Sequence, residues 1–322
     1  MRLIKFIRKS RPATVNGITC TSEELLELRH VARTLSIGGS RRAYSIMAGS
    51  TLSKFRGRGM DYAESRIYTP GDDVRNIDWR VTARTGKTHT KVYVEERDRP
   101  VMTLMDFSPS LYFGTREALK SVVAARLAAT IAWTAIFNGD RIGGIIVSPR
   151  EKFELRPTAG RKGVLVLIQA LVKATGQFAD DNDGSSLDQL IRHGIRAIRP
   201  GGRVFLISDF YHYDPEMEKN LGRLRRHNDL VLCQIIDPLE MTVPPPGVYS
   251  ITNGRQHTRL NTRNPDLRRF YLDTFRRRRD KVEQLANQLK IPLLKLVSGT
   301  DIAGVMRRGL SFKRHVNRHE SN

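Results

Sequence analysis

The chain has 322 residues, 39% of them hydrophobic, and 55 Lys and Arg against 33 Asp and Glu, a formal net charge of +22. This suits a cytosolic α/β protein with one sizeable core and a smaller appendage. With only Cys20 and Cys233, a disulfide framework or zinc site has no support, and no run approaches the roughly 18 apolar residues of a membrane span.

In chain order, Met1 to Arg11 carries five cations with no secretory apolar block after it, and reads as an exposed basic arm. Ser22 opens a helix in which leucines and valines recur at helical spacing behind a capping residue. Gly38 to Arg58 is rich in Gly, Ser and Arg and has little periodicity. The dense block Gly57 to Pro100 shows strand alternation only at its end, His89 to Glu95. Within it Asp72, Asp73 and Asp78 alternate with Arg75, Arg80 and Arg84 around Trp79, after a turn at Pro70-Gly71. That spacing predicts an ion-pair network locking an irregular segment, because charged hydrogen bonds are strong and bidentate Arg fixes geometry. A metal or hydrolytic centre of the three acids ranks lower, since adjacent Asp side chains point apart on an extended chain.

From Val101 the pattern alternates between strand and helix. After the strand from Val101 come a helix Arg116 to Phe137, strands Arg141 to Val147 and Lys152 to Leu155, and helices Lys162 to Ala174 and Leu187 to Ile198. A strand Val204 to Ser208, a helix Pro215 to Arg226 and a strand Leu230 to Ile236 follow. Such βα alternation predicts a doubly wound, mostly parallel sheet. LAATIAWTAIF, from Leu127, is too short to span a membrane, and Cys233 sits in a core strand. Beyond Pro238, two extended runs flank Asn253-Gly254, a hairpin signal. A long helix Pro265 to Leu289 and a strand Ile291 to Ser298 close the pattern.

The most informative run is Val101 to Gly114, an apolar strand ending in Asp106-x-Ser108-x-Ser110. A carboxylate and two hydroxyls at that spacing suit Mg²⁺, with Mn²⁺ as a substitute: a hard ion that takes oxygen ligands and few carboxylates. Phe107 and Pro109 would make the mouth partly apolar and stiff. A second apolar strand ends in Asp209, and Ser185, or Ser186 if the register shifts by one, stands just before the helix leading to it. His212 beside Asp209 reads as solvated. No Ser-His-Asp order, Gly-x-Ser-x-Gly elbow, Walker loop or His-Glu-x-x-His occurs, so the expectation is a metal-dependent binder and not an enzyme. A metal-dependent hydrolase, lost on substitution of Asp72 or Asp106, is the third-ranked alternative.

The charge is uneven. Residues 1 to 58 hold 12 basic and 3 acidic side chains, residues 255 to 322 hold 17 and 6, and the middle is nearly balanced. Basic ends suit an acidic partner surface. Arg276, Arg277, Arg278 and Arg279 wrap round the long helix as a basic partner surface, with a merely solvated face as the equal rival. Nucleic acid or an anionic membrane is the alternative partner, though no nucleic-acid module accompanies the charge.

The tract Tyr68 to Arg84, the Ile207-Ser208-Asp209 strand end and the region from Asn264 to Leu296 together resemble the bacterial domain-of-unknown-function family 58, over nearly the whole chain after Ser22. Asp106, Ser108, Ser110, Ser185 and Asp209 stand, in chain order, where a von Willebrand factor A domain draws its metal-site residues, although such sites normally use Thr at the Ser185 position. The resemblance implies a von Willebrand factor A-like α/β fold, a doubly wound mostly parallel sheet. An N-terminal irregular and strand extension would occupy 1–100, and 101–322 would be the main domain with a hairpin (246–262) and helix (265–289) elaboration. Because family members are commonly encoded beside MoxR-type AAA+ ATPases, it also implies a partner or adaptor of such an ATPase. The place would be the cytoplasm, or the periphery of the inner membrane.

Overall fold

The computed structural model of the chain describes residues 17–37, 60–95, 99–177, 187–212, 214–252 and 257–311. It divides into two units, one of residues 1–37 with 100–322 and one of 38–99. The first helix, α1 (Ser22–Ala32), is capped by Thr21 and buries Leu25 and Ala32.

In the smaller unit, β1 (Met60–Ile67) pairs antiparallel with β2 (His89–Glu95), and α2 (Trp79–Thr85) lies between them in sequence. Only β2 shows in the sequence. The expected Asp–Arg network is not what holds this segment, because each acid instead bonds a nearby backbone. Asp78 caps α2 through Val81 N at 3.2 Å and accepts the Ser65 hydroxyl at 2.7 Å. Asp73 caps a 3₁₀ turn (Val74–Asn76), and Asp72 accepts Thr69 N and pairs with Arg66 at 2.6 Å. Among the described residues Arg75, Arg80 and Arg84 form no ion pair with these acids, and Trp79 is exposed. A short Asp carboxylate reaches its own chain two or three residues on more readily than a guanidinium. Hydrogen bonds from Ser65 and Val81 hold the Asp78 carboxyl below its ordinary value. Asp78→Ala should therefore raise hydrogen exchange across residues 60–95 and leave the larger unit protected, whereas Arg80→Ala should leave exchange in both units unchanged.

The larger unit is built on a six-stranded sheet: β3 (Pro100–Asp106), β4 (Arg141–Val147), β5 (Lys152–Thr158), β6 (Arg203–Ser208), β7 (Asp229–Ile236) and β10 (Leu293–Val297). Their order is β10-β7-β6-β3-β4-β5, all parallel except β5 against β4. A separate hairpin pairs β8 (Val248–Thr252) with β9 (His257–Asn261); its expected turn at Asn253-Gly254 lies outside the described residues.

Alternation along each strand splits the core by face. Val101 and Met105 of β3 join Phe205, Ile207, Val231 and Cys233 in one cluster with α1, α3 (Lys120–Phe137), α4 (Gly160–Thr175) and α8 (Ile302–Ser311). Met102 and Leu104 join Val204, Leu206 and Leu232 in the other, with α5 (Leu187–Ala197), α6 (Pro215–His227) and α7 (Pro265–Gln288). α1, expected to group with the block after it, packs on α3 instead, where Trp133 Nε1 donates to Leu25 O.

Covered by the sheet on one side and α1 on the other, α3 is apolar nearly all round, as a fully buried helix must be. It is the one described helix long and apolar enough to cross a membrane, with 83% of it buried inside the protein. It starts at Lys120 and not at the expected Arg116, because other contacts hold the chain before it: Thr115 bonds Asp237, and Leu119 N donates to Gly17 O. Gly114 permits this corner, since a Cβ there would lie 2.7 Å from Leu119 Cα. α8 was not apparent from the sequence.

Candidate metal and docking site

The strand order reverses at β3. The chain runs from β3 through β4 to β5 on one side, then returns to β6 on the other. At such a switch point the loops leaving the two strands diverge and open a crevice at their carboxyl ends, where α/β proteins bind ligands. β3 ends in Asp106 and β6 in Ser208, followed by Asp209, so both predicted carboxylates reach that crevice.

Asp106 is 4% exposed and Ser108 3%. The Ser108 and Ser110 hydroxyls lie 3.1 Å apart. Ser208 Oγ accepts Phe210 N at 3.0 Å, which leaves its hydroxyl hydrogen for Asp106 Oδ2 at 3.1 Å. Phe210 has φ 53°, in the left-handed region that bulky residues avoid, and its buried ring holds the turn that follows Asp209. Phe107 is wholly buried in the core and does not line the mouth as expected. Ser185 and Ser186 lie outside the described residues.

Burial, and then the charge of Asp209, push the Asp106 carboxyl up to about 7 against hydrogen bonds from Ser208 and Ser108. Asp106 has no cationic partner among the described residues. Gln234, level with Ser208 in the β6–β7 register, has a buried Oε1 without a donor among those residues. An all-oxygen set around an uncompensated carboxylate fits a hard divalent cation. Among the described residues no three His, Cys, Asp or Glu side chains converge, and Asp72, Asp73 and Asp78 do not form a centre.

Asp209 differs from Asp106. Its Oδ1 accepts Tyr211 N, and its Oδ2 accepts the Lys120 ammonium at 2.7 Å. Lys120 also donates to Glu240 Oε1 at 2.8 Å. Burial alone would lower the lysine, but the two carboxylates outweigh it and hold the ammonium above its ordinary value. Glu240 is fixed in turn by a capping box with Asp237, whose carboxylate accepts Thr115 N and Oγ1. Sequence reasoning missed Lys120, Ser208, Asp237 and Glu240. A lysine heading a mostly apolar helix, and the Asp-Pro-x-Glu box, were the available signals.

The four-arginine run divides in two. Arg276 and Arg277 are exposed, with Arg276 4.0 Å from Asp280. Arg278 lies 3.9 Å over the Tyr211 ring, and Arg279 donates to Glu240 O. Half of the expected basic surface therefore packs on the loops that carry Asp209 and Glu240. At the opposite, amino edge of the sheet, a cavity of about 310 Å³ is lined by Arg196, Arg199, Arg223 and His227, with no acid among its lining residues. The carboxylate chemistry lies at the carboxyl edge, not in this cavity.

Comparison with known proteins gives relatives without an assigned activity. An uncharacterized protein, Rv1480, of Mycobacterium tuberculosis (strain ATCC 25618 / H37Rv) is 28% identical over 290 residues, 89% of this chain and 90% of that one. Another, Mb1516 of Mycobacterium bovis, matches equally. Among solved structures, the conserved hypothetical protein BatB from Bacteroides thetaiotaomicron superposes with TM-score 0.45 at 12% identity, over 68% of this chain and 99% of that one. An aerotolerance-related membrane protein from Bacteroides fragilis gives TM-score 0.43 at 11% identity over the same shares. A model of DUF58, a protein family of unknown function, matches residues 64–281, and the chain belongs to that family.

Proposed function

We propose that the chain is a non-enzymatic, von Willebrand factor A-like interaction module that docks a protein ligand through a Mg²⁺-dependent site. The observation that carries this reading is Asp106: a buried carboxylate at the switch point, beside two serine hydroxyls and without a cationic partner among the described residues. Asp106, Ser108 and Ser110 would hold the cation, with Ser185 as the third-loop hydroxyl. Ser208 orients Asp106, and Phe210 fixes the Asp209 turn. The cation supplies a positive centre for a carboxylate of the docking protein. The proposed partner is a MoxR-type AAA+ ATPase, on the family resemblance, with Arg276 and Arg277 steering its acidic surface. The proposed setting is the cytoplasm or the inner face of the membrane.

Calorimetric titration with Mg²⁺ and Mn²⁺ should show binding to the wild type and none to Asp106→Ala. Surface-plasmon kinetics on the ATPase should show dissociation speeded by EDTA or by Ser108→Ala. Failure of the wild type to bind either ion at millimolar levels, with or without partner, overturns the reading. The cavity lined by Arg196, Arg199, Arg223 and His227 favours a second reading, anion binding to nucleic acid or membrane. Salt-sensitive binding to RNA or anionic liposomes, indifferent to EDTA and lost on Arg199→Glu, would select it.

A further inference from the structure

Lys120 stands where a lysine is costly. It heads a mostly apolar helix, it is 1% exposed, and its ammonium lies between Asp209 and Glu240. Two buried carboxylates and an ammonium give no more stability than well-packed apolar side chains of the same volume, so packing by itself does not call for a charge here. The charge has a local consequence instead. Of the two acids at the switch-point crevice, Asp209 is paired with an ammonium from within the protein, and Asp106 has no such partner among the described residues.

Glu240 is held by the Asp237 capping box, and the Phe113 ring lies 5.9 Å from the ammonium, so Lys120 is positioned from three sides. Asp209 Oδ1 also accepts Tyr211 N, so each oxygen of that carboxylate already accepts one hydrogen bond.

We propose that Lys120 acts as a tethered cation that withholds Asp209 from the divalent ion held by Asp106, Ser108 and Ser110, leaving one carboxylate to be supplied by the docking partner. The inference rests on reading Asp106, Ser108 and Ser110 as a cation site, and adds the residue that sets how tightly the free protein holds the ion. With Asp209 paired to Lys120, Asp106 is the single uncompensated carboxylate at the site among the described residues, and the affinity for a bare cation stays low. A partner's Asp or Glu then meets an under-neutralised centre, so docking and cation retention reinforce each other.

The test compares the wild type, Lys120→Met and Lys120→Arg by calorimetric titration with MnCl₂ and MgCl₂. Removing the positive charge that pairs with Asp209 frees a second carboxylate and should tighten Mn²⁺ binding by about tenfold or more in Lys120→Met. Lys120→Arg keeps the charge and should stay within about twofold of the wild type. Should Lys120→Met prove too unstable without metal, Lys120→Met with Glu240→Gln removes one of the bared carboxylates, still frees Asp209, and should show the same tightening. If the wild type binds the ions and neither variant lacking the ammonium binds more tightly, the role of Lys120 is overturned and the cation site stands. If neither the wild type nor the variants bind at millimolar levels, the cation-site reading fails, and this inference with it.

Discussion

Asp106→Asn should melt higher than the wild type in EDTA at about pH 8, and should no longer respond to Mg²⁺. Burial and the neighbouring Asp209 charge raise the Asp106 carboxyl to about 7, so the folded, metal-free protein bears a penalty for ionising it. A rise of about three units corresponds to at most about 4 kcal/mol. Asn keeps the size and the acceptor for the Ser208 hydroxyl while discarding the charge. The sign follows from proton linkage: between the unfolded value near 4 and the folded value near 7, the native state binds more protons, so metal-free stability falls as pH rises through that window. The Asn variant should be flat there. Asp72 and Asp78, held below their ordinary values by hydrogen bonds, contribute in the opposite sense, with stability lost only as pH falls through their own folded values. Thermal melts between about pH 4 and pH 8, with and without Mg²⁺, check this. A variant that melts lower than the wild type at pH 8 in EDTA would show that the charge of Asp106 is compensated, and would remove the main argument for a cation there.

Lys120→Met should lower the stability of the metal-free protein by about 3–5 kcal/mol, the usual cost of removing one partner from a buried ion pair. The loss comes from Asp209 and Glu240, left charged at 3% and 11% side-chain exposure with no counter-ion among the described residues. Adding Glu240→Gln to Lys120→Met should recover part of it, because one of the bared charges is then gone. Denaturant titrations of the wild type, both single variants and the double variant give the coupling directly. A loss of under about 1 kcal/mol, as for an exposed pair, would mean that solvent reaches the ammonium.

Periodicity placed most of the larger unit correctly. β4 runs over the residues expected, and β6, β7, α5, α6 and α7 differ by one residue or so at their ends. In a mostly parallel sheet covered on both faces, strands are continuous apolar runs and helices carry stripes, and both are local patterns. The same locality explains the errors. β1 has a charged, mixed sequence and is a strand because β2, from His89 onward, pairs with it. α3 begins late because Asp237 and Gly17, distant in sequence, hold the residues before it.

Asp106, Ser108, Ser110 and Asp209 were visible as candidates in the amino-acid sequence, because strand-ending acids and hydroxyls mark loops at the carboxyl edge of a sheet. Sequence also gave the family tract and the charge at the two ends, which depend on residue identity alone. Which carboxylate is compensated was a tertiary matter. Lys120 is 89 positions from Asp209 and 120 from Glu240, and no spacing rule joins them. The strand order that sets β3 beside β6, the ammonium that occupies Asp209, and the division of the arginine run into exposed and packed halves all arise from long-range packing. The electrostatics of the site depends on burial and on neighbours brought in by the fold, and local sequence carries neither.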